Sequence, residues 1–260
     1  MATIGIMDSG VGGLSVLREI LRILPGERYI YFSDNAFCPY GDKSPDFIQD
    51  RCRKICDHFL SKGADVIVLA CNTATAAAIS TLRAEYDIPF VGMEPAIKPA
   101  VHRTRSGVVG VLATAGTLKG NKYHNTRDLY SGDIIVKESV GRGFVELVEK
   151  GELTGPHAEE VVRASLQPLL DAKADTKADT IVLGCTHYPF LMDTLQAVAG
   201  PGITFIDPAP AVAAHLKDVL KEKGLPSESL EPYSVTLESS GDDSALKRMF
   251  RIVSSSLSVK

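Results

Sequence analysis

The sequence predicts an α/β protein of two pseudo-symmetric lobes, each a mostly parallel sheet flanked by helices, with the active site in the cleft between them. Three observations carry that prediction. Short β-branched runs bounded by turn residues alternate with longer stretches of helical period, the signature of a parallel sheet. One of those runs occurs twice: residues 64–71 read ADVIVLAC and residues 178–185 read ADTIVLGC. Two proline-containing stretches, residues 87–99 and 207–210, look like two crossings of one lobe boundary. They divide the chain into a first lobe of residues 1–97 plus 208–260 and a second of residues 98–207.

The elements follow in order. Thr3-Ile4-Gly5-Ile6-Met7 reads as a strand, Asp8-Ser9-Gly10-Val11-Gly12-Gly13 as a glycine-rich turn, and Leu14, Leu17, Ile20, Leu21 and Leu24 as one helix face. Such a corner presents free N–H groups and suits an anion or an amide. A dinucleotide fingerprint fits it poorly. The third glycine position is Ser15, and Asp8 would set a carboxylate beside a pyrophosphate. After a strand at residues 29–32 comes an irregular loop, residues 34–41, whose Pro39, Tyr40 and Gly41 are a candidate ligand wall. Ser44 and Pro45 open a helix running to about Ser61. The first repeated strand ends at Cys71-Asn72-Thr73, and a helix is expected from Ala74 to Glu85. Residues 107–113 restart the opening theme and lead into Thr114 and Thr117. Beyond a strand at residues 134–136, a short helix carries Glu146 and Glu149, and another ends near Leu170. A polar turn spans residues 173–179, then comes the second repeated strand, and a further strand at residues 203–206. The C-terminal helix, the strand near residues 235–237 and a last amphipathic helix most simply rejoin the first lobe.

Composition narrows the function. With 45% hydrophobic and 23% charged residues among 260, the chain has the make-up of a globular protein. A net charge of -4 and no basic stripe argue against nucleic acid. No apolar run approaches the roughly 20 residues of a membrane span, so no membrane partner is expected. Five cysteines, an odd number without a framework pattern, and a start lacking a basic segment point to reduced thiols and a cytoplasmic location.

Two thiols in matched positions at strand ends are the candidate chemistry. A strand end facing a helix N-terminus lowers a thiol pKa, and Asp8 or His187 could take a thiol proton. A Cys–His hydrolase would leave one copy unexplained. A metal site of Cys71, Cys185, His187 and Asp8 lacks ligand spacing. Proton transfer on opposite faces of one carbon uses both thiols equivalently, and racemisation requires that.

The motifs Asp8-Ser9-Gly-x-Gly-Gly, Pro39-Tyr40-Gly41, Cys71-Asn72-Thr73-Ala74 and Gly184-Cys185-Thr186-His187-Tyr188-Pro189, in this order, resemble the glutamate racemases of the aspartate/glutamate racemase superfamily. Met93-Glu94-Pro95-Ala96 and Asp207-Pro208-Ala209 match as well. The resemblance implies cofactor-independent interconversion of L- and D-glutamate, supplying D-glutamate for peptidoglycan, with no metal and no cofactor. It implies Cys71 and Cys185 as the two acid/bases, Cys71 on the D-glutamate face and Cys185 on the L-glutamate face, with Asp8 and His187 assisting. It further implies substrate contacts from Asp8, Ser9, Pro39, Tyr40, Gly41, Asn72, Thr73, Thr186 and His187, with Thr114 and Thr117 nearby. One departure stands out: where the family commonly has Cys-Pro, this chain has Gly141-Arg142-Gly143. The stretch after it still fits, and Glu149 is carried over as an assisting glutamate. A superfamily racemase acting on aspartate or another amino acid, and a two-lobe amino-acid binding protein, remain the alternatives; a homodimer is neither read from the sequence nor excluded by it.

Overall fold

The computed structural model describes residues 1–93, 95–171, 177–225 and 233–257. Glu94 and most of the polar turn before the second repeated strand lie outside the described residues. The first sheet contains β1 (Thr3–Asp8), β2 (Arg28–Ser33), β3 (Val66–Leu69), β4 (Phe90–Gly92) and, from the C-terminal region, β9 (Ser234–Ser239). The second contains β5 (Val108–Ala113), β6 (Ile135–Val140), β7 (Thr180–Gly184) and β8 (Thr204–Ile206). Every strand pairing is parallel. The strand orders are β4-β3-β1-β2-β9 and β6-β5-β7-β8. Read from the opposite edge, the second order becomes β8-β7-β5-β6, which repeats β4-β3-β1-β2 with four added to each number. The two lobes therefore share one topology, and the repeated strands β3 and β7 occupy equivalent places. β9 is the one addition, on the edge beside β2.

The strand residues explain this layering. β3 and β7 are buried along their whole length, and an unbroken aliphatic run suits a strand covered by helices on both faces. The helices are α1 (Leu14–Ile23), α2 (Pro45–Ser61), α3 (Asn72–Glu85), α4 (Ile97–Arg103), α5 (Ala115–Lys119), α6 (Asn121–Tyr130), α7 (Phe144–Lys150), α8 (Pro156–Leu170), α9 (Met192–Ala199), α10 (Ala209–Glu222) and α11 (Ser244–Leu257). The chain leaves the first sheet after β4 and returns after β8, when α10 packs along α1 and α11 packs beside it. Ser44 caps α2, its hydroxyl accepting from the Phe47 N–H at 3.3 Å, with Pro45 in the first turn. No helix among the described residues is long and apolar enough to cross a membrane.

One expectation at an element boundary changes. α3 begins at Asn72 rather than Ala74, and the capping group is the Cys71 sulfur, which accepts from the Ala74 N–H at 3.4 Å. The helix therefore starts two residues earlier than expected, with the thiol of Cys71 as its cap.

Close packing around β1 generates a test of the first lobe. A Cβ on Gly5 would lie 2.6 Å from the Phe59 ring of α2, so no methyl fits there without repacking. Gly5→Ala is expected to cost about 1–3 kcal/mol in urea unfolding. Combining it with Phe59→Leu should cost less than the sum of the two single changes, because the pair couples directly. A fully additive pair would show that the contact does not limit β1.

Candidate active site

Both sheets place their functional groups at the C-terminal ends of strands beside the point where strand order reverses, where open α/β sheets bind ligands. In the first lobe that point lies between β1 and β3, and it presents Asp8, Ser9, Cys71 and Asn72. In the second it lies between β5 and β7, and it presents Thr114, Cys185, Thr186 and His187. The lobes face each other there. One narrow cavity of about 10 Å³ is lined by Ser9, Pro39, Tyr40, Gly41, Cys71, Asn72 and Thr73 from one side. Thr114, Val145, Cys185, Thr186 and His187 line it from the other. Both thiols reach it. A wider, open cavity shares Gly41 and Thr73 with it and leads outward past Lys43 and Lys119; it contains no thiol.

The seam between the lobes is built from hydrogen bonds that need glycine. The Val11 N–H donates to Glu149 Oε1 at 2.8 Å, and His187 Nε2 meets the same oxygen at 2.7 Å. Ser15 donates to the Thr186 carbonyl at 2.9 Å, and the Thr186 hydroxyl donates to Asp8 at 3.2 Å. A Cβ on Gly10 would lie 2.0 Å from Glu149 Oε1, and one on Gly12 would lie 2.2 Å from His187 Nδ1. The glycine-rich turn, expected to be a cradle for a ligand anion, therefore holds a protein carboxylate from the other lobe. This corrects that expectation: its N–H groups are taken by Glu149 and by Asp8, which accepts from the Gly10 N–H at 2.9 Å.

Glu149 sits in the last turn of α7, and the Arg248 guanidinium of α11 donates to its carbonyl at 2.6 Å. Gly141, where the chain departs from the family, lies against Tyr188. Tyr188 packs edge-on against Phe144 at 4.8 Å and donates to the Gly141 carbonyl at 3.3 Å, and a Cβ on residue 141 would lie 2.5 Å from that hydroxyl.

The charges in the seam are ordered. Burial alone would push Glu149 up, but the His187 hydrogen bond and charge, the Val11 N–H and the Cys38 thiol outweigh it and hold the carboxyl below its ordinary value. Burial would likewise drive the His187 imidazolium down, yet its bonds to Cys185 and Glu149 hold it well above the usual histidine range. An imidazolium donates from both nitrogens, and here Nε2 faces Glu149 while Nδ1 lies 3.8 Å from Cys185 Sγ. Asp8 is fully buried, and desolvation raises its pKa against the pull of His187 and the Gly10 N–H. The expectation of a thiol pKa lowered at a helix N-terminus fails for Cys71. Burial, with the Asp8 charge adding to it, pushes this thiol well up despite the Ala74 N–H.

The hydroxyl groups sort into two sets. Thr73, Thr114 and Thr117 meet across the lobes, with Thr73 2.9 Å from Thr114 and 3.4 Å from Thr117, while Thr114 also caps α5 through the Thr117 N–H at 3.2 Å. Ser9 lies 3.8 Å from the Cys71 sulfur. Thr186 serves Asp8. Tyr40 lines the cavity with its ring alone, since its hydroxyl donates to Asp34, which Arg51 grips at 2.7 and 2.8 Å. Sequence reasoning passed over that Asp34–Arg51–Tyr40 triangle, whose one signal was an acid just after β2. It also missed Val145 and the proximity of Cys38 to Glu149, for which the sequence carries no spacing signal.

Asn72 is the unusual member. It is 3% exposed, and neither its amide nitrogen nor its amide oxygen has a partner. A buried amide leaves both ends unpaired only at a cost, so this one faces the cavity ready for a polar ligand.

The Asp/Glu/hydantoin racemase family model matches residues 4–216. A glutamate racemase of Pseudomonas putida is 46% identical over 253 residues, covering 97% of this chain and 94% of that protein. Among solved structures, Escherichia coli glutamate racemase in complex with L-glutamate and the activator UDP-MurNAc-Ala superposes with a TM-score of 0.86 at 32% identity, over 98% of this chain and 94% of that one. Francisella tularensis glutamate racemase in complex with D-glutamate superposes with a TM-score of 0.82 at 27% identity, over 97% and 93%. Two opposed strand-end thiols in one cavity and likeness along nearly the whole chain agree, and the protein belongs to the glutamate racemases of the Asp/Glu/hydantoin racemase family.

Proposed function

We propose that the protein interconverts L- and D-glutamate by proton transfer at Cα between Cys71 and Cys185, without a cofactor. The observation that carries this reading is the shared cavity: two thiols from equivalent strand ends of the two lobes line it beside an amide with no protein partner. From L-glutamate, the Cys185 thiolate takes the Cα proton, and the Cys71 S–H delivers its own proton to the opposite face of the flattened carbanion. The D enantiomer runs the same steps in reverse, and each turnover exchanges which sulfur holds the proton. The face assignment follows the resemblance to the family.

The surroundings support that division of labour. His187, held cationic and 3.8 Å from Cys185, can hand this sulfur a proton or recover it. Asp8 disfavours charge on Cys71, so this thiol waits protonated; the ammonium of a bound amino acid would offset Asp8 and ease ionisation when the reaction runs the other way. For the two carboxylates, the Asn72 amide, the Ser9 hydroxyl and the Thr73–Thr114–Thr117 set offer donors. We take residues 1–97 plus 208–260 and residues 98–207 as the two lobes, in keeping with β9 on the first sheet and α10 against α1. All five cysteines are free, which fits the proposed cytoplasmic site of action and a product destined for peptidoglycan.

The deciding experiment follows L- and D-glutamate by circular dichroism with dialysed enzyme and no pyridoxal phosphate, with aspartate as the rival substrate. Racemisation of both glutamate enantiomers and not of aspartate is expected; activity only after a cofactor is added would contradict the two-thiol reading. Cys71→Ser and Cys185→Ser should each lower turnover in both directions by about 10²–10⁴-fold or more, the worth of a placed proton-transfer group. Cys52→Ser and Cys56→Ser, in the α2 core of the first lobe, should stay close to the parent.

Asn72 provides a second test, because its role separates function from stability. Asn72→Leu removes a buried, unpaired amide, whose desolvation costs about 1–3 kcal/mol, so unfolding should occur at an unchanged or higher temperature. At the same time kcat/KM for glutamate should fall by about 10²-fold, roughly what two lost hydrogen bonds to charged groups are worth. A variant that loses stability and keeps its activity would remove Asn72 from the substrate site.

A further inference from the structure

We propose that Cys38, Glu149 and His187 form a binding site for a divalent transition metal, Zn²⁺ being the type, and that occupation of this site reversibly stops the reaction proposed above. Cys38 comes from the loop after β2, Glu149 from α7 of the other lobe, and His187 from the segment after β7. Their ligand atoms all lie within 4.8 Å of one another, and among the described residues this is the one group of three such side chains so placed. Glu149 Oε1 stands 3.8 Å from Cys38 Sγ and 2.7 Å from His187 Nε2. Tetrahedral Zn²⁺, with bonds of about 2.0–2.3 Å, sets its ligands about 3.3–3.7 Å apart. The Cys38–Glu149 spacing is already close to that of two ligands, and the Glu149–His187 contact has only to open by about half an ångström. On the Gly10 side the missing Cβ is what lets these groups approach, since it would fall 2.0 Å from Glu149 Oε1 and 3.1 Å from Cys38 Sγ.

The donor set selects the ion. A thiolate, an imidazole and one carboxylate suit a borderline-soft cation, whereas Mg²⁺ and Ca²⁺ ask for oxygen ligands. Three protein ligands leave a fourth position to water. The exchange balances in protons: the ion replaces the Cys38 S–H proton and the His187 Nε2–H proton, both released to solvent, and Glu149 supplies its existing negative charge. Binding must therefore strengthen as pH rises. It would also remove the imidazolium charge beside Cys185 and pin the Cys38 loop of one lobe to two residues of the other. The inhibition rests on the proposed reaction; the metal site does not.

Co²⁺ and Zn²⁺ are the probes, each added to metal-free enzyme. One equivalent of Co²⁺ is expected to give a thiolate-to-cobalt charge-transfer band, displaced by Zn²⁺, and Zn²⁺ should inhibit glutamate racemisation until a chelator restores it. The half-inhibitory Zn²⁺ concentration should fall as pH rises. Cys38→Ser, and Cys38→Ala should the serine variant fold poorly, should retain activity within a few-fold and lose the cobalt–thiolate band. Zn²⁺ inhibition should weaken by at least about 10–100-fold, the loss that even an outer-shell partner brings. A band that survives Cys38→Ser would place the metal on Cys71 or Cys185 and overturn the proposal, as would no band at all. A Cys38-dependent band in a protein inactive on glutamate would uphold the site and refute the reaction.

Discussion

The structure depends on the close approach of Glu149 and His187, from the second lobe, to the Gly10–Gly12 backbone of the first. No side chain fits between them: a Cβ at either glycine would fall about 2 Å from the carboxylate or the imidazole. Through that contact the Val11 N–H, the His187 ring and the Glu149 carboxylate share one oxygen. The Ser15 and Thr186 bonds extend the seam to Asp8. The two sulfurs line one space because equivalent strand ends of the two lobes meet beside this seam.

The seam also sets the chemistry. Two anions and one cation are buried within it, and burial of charge is tolerated only where partners are supplied. Glu149 receives an imidazolium and an N–H; Asp8 receives an N–H and a hydroxyl and remains the less satisfied of the two, with its pKa raised. The consequence is an asymmetric pair of thiols in a pseudo-symmetric frame. Cys71 looks toward an anion and stays protonated, while Cys185 has a cation at 3.8 Å. The two-thiol reaction proposed above needs one sulfur to hold a proton while the other takes one, and the unequal neighbours are in keeping with that division.

Much of this was legible in the sequence, for identifiable reasons. The repeated ADxIVL run marked β3 and β7 because a strand buried on both faces must be aliphatic throughout, and its repetition carried the two-lobe topology. Ser44-Pro45 marked the start of α2 through cap chemistry. What stayed hidden depends on distances between the lobes. The glycine-rich turn read as a ligand cradle because a sequence shows free N–H groups but not that a carboxylate 138 residues away fills them. The thiol environment of Cys71 was misjudged for a similar reason: the helix start is visible in sequence, whereas the burial that outweighs it is not. Tyr40 was legible as a candidate ligand wall, but the turn of its hydroxyl to Asp34 and Arg51 was not, because only the packing of α2 against the loop creates that triangle.

The central claim is that two thiols work on opposite faces of one carbon, and hydrogen isotope exchange during racemisation in D₂O tests it most directly. Starting from either enantiomer of glutamate, the two-thiol reaction is expected to place deuterium in the product enantiomer before any appears in the recovered substrate. The incoming proton comes from a sulfur equilibrated with solvent, and the proton removed stays on the other sulfur. Deuterium appearing first in the recovered substrate would mean that one base removes and returns the proton on the same face, and would contradict the assignment of Cys71 and Cys185 as a pair.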